Sequence, residues 1–468
     1  MSPSRRPLLA LTLALLLAAA TVAFVATASP SPEDDLSREI FEELIEINTT
    51  DSIGDNTKAA EAMARRLRDA GFPEEDVRVL GPHPAKGNLV ARLRGTGARA
   101  PILLLAHLDV VEALPSDWSF DPFTFREEDG YFYGRGTSDD KAMAGIWVAT
   151  LIRMKREGYV PDRDLIVALT ADEEGGSYNG VQWLLSNHRD LVDAAYCLNE
   201  GGGGQMKDGK RLSNSVQLSE KLYQSFSLEA TNPGGHSSRP RKDNAIYQLA
   251  SALVAISQHE FPLELDEITS AYFEKMSALE SGEVSRDMLA VARSADGEAA
   301  ARLSRSPYYN AVLRTTCVAT GLAGGHAENA LPQTARATVN CRIFPGKDPK
   351  DVQRVLEGVV GDAGMRIDPV ASANPSLPSP LLPEVMGAIE RTTEEMWPGV
   401  PVVPTMSTGA TDGLYLRNAG IPTYGVSGIF GDVDDARAHG KDERVLVSSF
   451  YEGREFLYRL TKALSSRK

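Results

Sequence analysis

Four segments of the chain place histidines or carboxylates where an apolar run or a Gly-rich turn ends, and a fifth adds a late histidine. Leu103-Leu104-Leu105-Ala106 leads into His107-Leu108-Asp109. Residues i and i+2 of a strand face the same side, so His107 and Asp109 can act together. A carboxylate on one ring nitrogen fixes the tautomer and leaves the other nitrogen for a metal. A histidine that merely precedes an aspartate near a strand end reads the same, and H-x-D alone does not separate the two. Gly134-Arg135-Gly136-Thr137-Ser138-Asp139-Asp140-Lys141 puts adjacent carboxylates at the opening of a helix. Asp139 there reads as a helix cap with Asp140 in the first turn, or as a metal ligand carried on a tight turn.

Thr170-Ala171-Asp172-Glu173-Glu174-Gly175-Gly176 follows the buried-strand pattern DLIVALT. Three successive carboxylates at the end of a buried strand are costly unless a metal or hydrogen bonds compensate. Ligands of open α/β sheets bind at that end. Asn199-Glu200-Gly201-Gly202 repeats the arrangement after Ala194–Leu198. Ala438-His439-Gly440-Lys441-Asp442-Glu443 carries a lone histidine before the last helix, a type that is usually structural or exposed. The joint pattern is more telling than any member. Two histidines and several carboxylates that converge on one cleft form an N/O ligand set, which suits zinc and, less well, manganese or cobalt.

The elements that must position these residues follow from periodicity. Leu36–Ile47 and Asn56–Gly71 read as helices, Asn88–Leu93 and Pro101–Ala106 as strands, Lys141–Glu157 as a helix, and Asp164–Thr170 as a buried strand. Val181–Ser186 begins a helix and Ala194–Leu198 is a strand. This alternation predicts an α/β fold with a mostly parallel central sheet flanked by helices. The character changes after Glu200. A Gly run and a polar stretch lead to an alternating strand at Leu222–Ala230, a helix at Asn244–Gln258, a polar helical region over 259–310 with no clear core pattern, a strand at Ala335–Phe344 and a helix at Asp348–Gly361. That reads as an inserted α+β lid or dimerisation domain. The first pattern returns with a helix at Leu382–Met396, the segments Val402–Met406, Asp412–Asn418 and Thr423–Val426, and a final helix at Val445–Ser465.

The chain has 468 residues, 49 Lys+Arg and 64 Asp+Glu, a net charge of −15. An acidic balance argues against nucleic acid, whose phosphates need a basic footprint. Residues 1–28 have the layout of a secretory signal peptide: Arg5-Arg6, an apolar run from Leu8 to Val25, and the small-x-small segment Ala26-Thr27-Ala28. An uncleaved membrane anchor is the alternative, since Leu8 to Ala28 is just long enough to span a bilayer. Both readings export the rest of the chain. A Ser/Pro/Asp-rich linker at 29–35 follows, then a catalytic domain in two parts, 36–218 and 372–468, around the lid at 219–371. Cys197, Cys317 and Cys341 leave at least one thiol free, and the apolar contexts of Cys197 and Cys341 read as buried inert thiols.

Taken in order, HLD, GRGTSDDK, TADEEG, LNEGG, NPGGHSS, ENALP with VNCRIFPG, TGATDG and AHGKDE resemble the co-catalytic zinc amidohydrolases and peptidases. That family includes carboxypeptidase S, glutamate carboxypeptidase, succinyl-diaminopimelate desuccinylase and the aminoacylases. The GGHAENALP segment and the long insert resemble the carboxypeptidase S branch most. The resemblance implies two Zn²⁺ per chain, with Mn²⁺ or Co²⁺ as alternatives. It implies His107 and Glu200 on one ion, Glu174 and His439 on the other, and Asp139 bridging both ahead of a cis peptide to Asp140. Asp109 would orient His107, and Glu173 would be the general base and acid. His236 resembles an oxyanion-stabilising histidine from the same or a neighbouring subunit. A helix-start histidine flanked by capping serines is its plain reading. Asn329 and Arg342 resemble residues that hold a substrate carboxylate, where Arg342 reads equally as a surface ion pair. Thr411 resembles a contact on the substrate loop.

The function implied is exported hydrolysis of a peptide or N-acyl amide bond next to a free carboxylate. Carboxypeptidase-type dipeptide cleavage is preferred to deacylation of N-acyl amino acids. A homodimer through the lid is expected from the resemblance alone. Loss of a ligand or of the base would mark a non-catalytic binding protein of the same fold, and none is missing. A single-metal amidase, with Asp139 only a cap, is a further alternative.

Overall fold

The computed structural model describes residues 31–361, 364–374 and 377–466. The proposed signal peptide, 1–28, lies outside them. Among the described residues no helix is long and apolar enough to cross a membrane. The expected linker ends early. Helix Pro32–Glu46 starts behind Ser31, whose Oγ accepts from the Asp34 N–H while the Asp34 carboxylate accepts from the Ser31 N–H. This reciprocal pair satisfies N-terminal donors that the helix leaves unpaired.

A ten-stranded mixed sheet forms the larger body. Its parallel centre is Leu165–Thr170, Ile102–His107, Tyr196–Asn199 and Thr423–Gly425. The first two of these are buried at every position, as strands covered on both faces must be. Antiparallel strands complete one side, with Asn88–Leu93 on Leu165–Thr170 and Val77–Leu80 beyond it. Helix Lys141–Arg156 packs on the sheet, and its Trp147 donates Nε1–H to the Leu105 carbonyl at 3.1 Å in the core. The fold is thus the α/β architecture that the sequence predicts. His107, Glu173, Glu174 and Glu200 lie at or just after the C-terminal ends of neighbouring parallel strands.

Sequence reading saw only a polar stretch where the structure has the strands Gly204–Lys207 and Lys210–Glu220. The second is buried over its last eight residues. Its polar side chains bond inward: Asn214 Nδ2 to Thr393 Oγ1 at 3.0 Å, and Gln217 Nε2 to Glu220 Oε2 at 3.1 Å. Burial that is compensated by hydrogen bonds leaves no hydropathy signal.

A second sheet is antiparallel, in the order Thr316–Gly324, Thr334–Ile343, Leu222–Thr231, Met365–Pro369. Helices Ala245–Gln258 and Pro349–Val360 cover it around Phe226, Leu249, Val339 and Leu356. Region 259–310 does have a core. Helices Glu267–Ser277, Gly282–Ser294, Gly297–Leu303 and Pro307–Leu313 bury Phe273, Met288, Val291 and Leu303 together with Val403 and Met406 of strand Val402–Ser407. Each short helix contributes only two or three apolar residues, several of them alanine, so no single periodic face stands out. This region therefore packs on a strand of the large sheet.

The cysteine expectation is corrected. Cys317 lies opposite Cys341 on paired antiparallel strands and forms a disulfide with it, while Cys197 is free and buried. Strand Thr316–Gly324 was not legible, so the opposition of the two cysteines was not either. Thiol counting without reductant checks this. The native chain should show no reactive thiol, and the chain denatured without reductant should show one. Three thiols after denaturation would contradict the pairing.

Candidate active site

Asp139 is the centre of the cluster. Its Oδ1 lies 2.9 Å from His107 Nε2, and its Oδ2 lies 3.2 Å from His439 Nε2. His439 Nε2 is also 2.8 Å from Glu174 Oε1. Glu200 Oε2 approaches His107 Nε2 to 4.0 Å. Donor atoms of His107, Asp139 and Glu174 fall within 4.8 Å of one another, as do those of His107, Glu173 and Glu200. The structure therefore brings together His107, Asp139, Glu173, Glu174, Glu200 and His439. It places Asp139 on a turn whose peptide bond to Asp140 is cis. Asp139 is not the residue before the helix: Asp140 is, and its side chain makes no capping bond.

Asp109 contributes differently from the expectation. His107 Nδ1 lies 2.9 Å from the Asp109 backbone carbonyl, whereas the nearest Asp109 carboxylate oxygen is 3.7 Å away. The ring is oriented by main chain, and Asp109 Oδ2 instead accepts the Glu174 N–H at 2.9 Å. Asp109 thus supports the Glu174 backbone as well as the histidine.

The electrostatics are those of too much negative charge in too little solvent. Burial, aided by Asp412, Glu174 and Asp109 against the opposing His107, pushes Glu173 up to about 9. Burial and the Asp139 charge push Glu174 up to about 7. Burial, with Asp139, Glu173 and Asp140, drives Glu200 well above the carboxylate range. Asp139, against its own burial, is held below that range by its bonds to both histidines. The Asp139 bond and the nearby carboxylates raise His439 to about 9. Burial opposes charge on His107, but Asp139, Glu200 and Asp109 outweigh it and hold its pKa well above the usual value. Asp109 Oδ1 and Asp140 Oδ2 are buried with no hydrogen-bond partner. Orphaned carboxylate oxygens and neighbouring carboxyls pushed above their usual range are what an acidic cleft shows when the compensating charge is a cation, so the donor set fits divalent metal.

Three residues escaped sequence reading. Asp412 is buried, with Oδ1 accepting from Asn179 Nδ2 at 2.6 Å and Oδ2 from Thr170 Oγ1 at 3.2 Å, and burial raises it to about 7. Lys86 is buried against Asp172 at 2.5 Å and Asp51 at 2.6 Å, which anchors the loop that carries Glu173. Glu443 is buried behind the Asp139 turn. The GATDG and AHGKDE motifs pointed to Asp412 and Glu443; nothing pointed to Lys86.

The lid residues stand apart. Among the described residues no hydrogen bond or ion pair joins His236, Asn329 or Arg342 to the cluster. His236 is exposed on the two-residue strand Gly235–His236, not at a helix start, with Nδ1 2.8 Å from Ser238 Oγ. The Asn329 carbonyl accepts the Ser237 N–H at 3.1 Å, so the two segments are neighbours. Arg342 lies over the Tyr223 ring, 4.6 Å from its centroid, and is in no ion pair among the described residues. Thr411 donates its hydroxyl to Glu220 at 2.8 Å, an internal bond on a strand that leads to the lid.

The profile of peptidase family M20/M25/M40 matches residues 103–463. The chain belongs to that family. The N-fatty-acyl-amino acid synthase/hydrolase PM20D1 of Xenopus tropicalis is 31% identical over 365 residues, 74% of this chain and 69% of the relative. A probable carboxypeptidase S-like 2 of Dictyostelium discoideum is 28% identical over 373 residues, 77% and 71% of the two chains. Among solved structures, an M20 family metallo-carboxypeptidase from Sulfolobus solfataricus superposes with a TM-score of 0.70 at 18% identity, covering 92% of this chain and 99% of that one. This family member is a metallohydrolase, and its acidic cleft gathers side chains that could hold a metal ion.

A metal ion held by this cluster would compete with protons, since Glu174 is raised to about 7, His439 to about 9, and Glu200 and His107 are raised as well. Ligation needs these groups deprotonated, so affinity rises with pH and levels off above the highest pKa. Between about pH 6 and 8, Zn²⁺ affinity should rise about tenfold per pH unit or more, as one or more protons leave. Competition titrations at both pH values check this. Affinity that did not change with pH would contradict the protonated cluster.

Proposed function

We propose that this protein is an exported di-metal hydrolase that cleaves the amide bond on the nitrogen of an amino acid with a free carboxylate, N-acyl amino acids being its main substrates. The observation that carries this is the division of the Asp139 oxygens between two histidines, each with a glutamate beside it. His107, Glu200 and Oδ1 of Asp139 would hold one ion; His439, Glu174 and Oδ2 would hold the other. When bound, two divalent ions, Zn²⁺ first, would supply a lowered pKa for water and a polarised scissile carbonyl.

The remaining work falls to side chains. Glu173 takes a proton from the attacking water and returns it to the leaving nitrogen. Burial pushes Glu173 up to about 9, and cations beside it would bring it back toward the working range. His236 would donate to the developing oxyanion, and Arg342 with Asn329 would clamp the substrate carboxylate, for which a guanidinium fork is suited. That Arg342 is in no ion pair among the described residues and rests on the Tyr223 ring supports that role. His236 would have to come from lid movement or from a second subunit.

The PM20D1 relative supports an N-fatty-acyl substrate. The carboxypeptidase S-like relative favours peptides as a second reading. The Cys317–Cys341 disulfide supports export, since such bonds persist in oxidising compartments. Edge strand Thr316–Gly324, with Val318 and Leu322 exposed, supports a homodimer through the lid.

Purified protein should hydrolyse N-fatty-acyl amino acids faster than blocked dipeptides, and chelation should abolish both activities. Glu173→Ala should lose about 10²–10⁴-fold in turnover with metal content retained. Near-normal turnover in that variant would refute the mechanism, and preference for dipeptides would favour the second reading.

A further inference from the structure

The motif that carries His439 continues to Glu443, a carboxylate that neither the ligand sets nor the proton transfer uses. Glu443 is fully buried. Its Oε1 accepts the backbone N–H groups of Ser138 at 2.7 Å and Asp139 at 3.2 Å. Its Oε2 accepts from the Gly136 N–H at 3.1 Å and from Arg135 Nη1 at 2.6 Å. Its own carbonyl accepts the Gly134 N–H at 3.1 Å. Every one of these donors lies in the short turn that ends at Asp139. Arg135 is buried too, over the Trp118 ring at 5.0 Å, and its second amino group reaches the His439 carbonyl at 3.5 Å.

A carboxylate that only neutralised Arg135 would need one oxygen and no main chain. Three backbone bonds into a ligand-bearing turn have another consequence. Asp139 can serve two ligand sets only while Oδ1 faces His107 and Oδ2 faces His439, so a tilt of its backbone disturbs both. The His439 side chain is half exposed, and the Arg135 contact joins its loop directly to the Asp139 turn.

We infer that Glu443 is a positioning residue for the metal centre: through turn 134–139 it sets where Asp139 stands, and through Arg135 it ties the His439 loop to that turn. This rests on the two-ion reading above. The ion on Glu174 and His439 depends on both connections, so it is the more sensitive of the two. Groups that hold metal ligands from behind typically account for about 10–100-fold in metal affinity.

The test counts metal in dialysed full-length protein and titrates Zn²⁺ and Co²⁺ by competition. Wild type should bind two ions per chain. Glu443→Gln keeps the shape but offers a single acceptor oxygen and turns an amide donor toward other donors. It should hold the weaker ion about 10–100-fold less tightly and change the visible spectrum of the Co²⁺ form. Glu443→Asp should recover part of the loss. Leu460→Ala, a cavity in the buried face of the last helix, should lower the melting temperature and leave both affinities alone. Two ions bound by wild type and by Glu443→Gln with equal affinity and equal spectra would overturn the inference and spare the two-ion reading. No metal on wild type would overturn that reading and the inference with it. If Glu443→Gln does not fold, Arg135→Lys carries the test. It keeps the charge and the backbone bonds but removes the fork, and it too should weaken the second ion. Unchanged affinity there would overturn the inference.

Discussion

Like charges crowd into a cleft that shields them from water, and most of the structure around them answers to that constraint. Asp109, Asp139, Asp140, Glu173, Glu174, Glu200 and Asp412 face two imidazoles. Unscreened carboxylates this close cannot all ionise. Most of them hold their protons more tightly than free carboxylates, and two carry oxygens without a partner. No fold gains stability from such an arrangement by itself. Positive charge from outside the chain makes sense of it.

The parallel sheet concentrates the acids at one end. Neighbouring strands end at His107, Thr170 and Asn199, and the chain just beyond the last two supplies Glu173, Glu174 and Glu200. Strand ends give direction but not fine placement. That comes from hydrogen bonds behind the cluster: the Asp109 carbonyl on His107, the Asp109 carboxylate on the Glu174 N–H, Lys86 on Asp172, and Glu443 on the Asp139 turn. His236, Asn329 and Arg342 make no bond to this scaffold among the described residues, so a role for them in catalysis would need their segment, or a partner's, to approach.

The parallel core and the ligand candidates were legible because both leave strong one-dimensional signals. Buried strands are unbroken apolar runs, and carboxylates are conspicuous where such runs stop. Lys210–Glu220 was hidden because its polar side chains are buried in pairs. The helical character of 259–310 was legible, but its core was not, because that core is assembled from small contributions by four short helices and a distant strand. The Cys317–Cys341 bond depended on a register that no local pattern gives. Asp109 was read as acting through its carboxylate because spacing predicts which residues meet, not which of their atoms. Lys86 was invisible for a related reason, since its partners Asp51 and Asp172 lie far from it in sequence.

The central claim is that Asp139 stands between two metal ions. The most direct measurement is anomalous X-ray scattering at the zinc absorption edge from crystals grown with Zn²⁺. Two peaks should appear, one on each side of the Asp139 carboxylate, the first beside His107 and Glu200 and the second beside Glu174 and His439. A single peak, or peaks away from Asp139, would contradict the account.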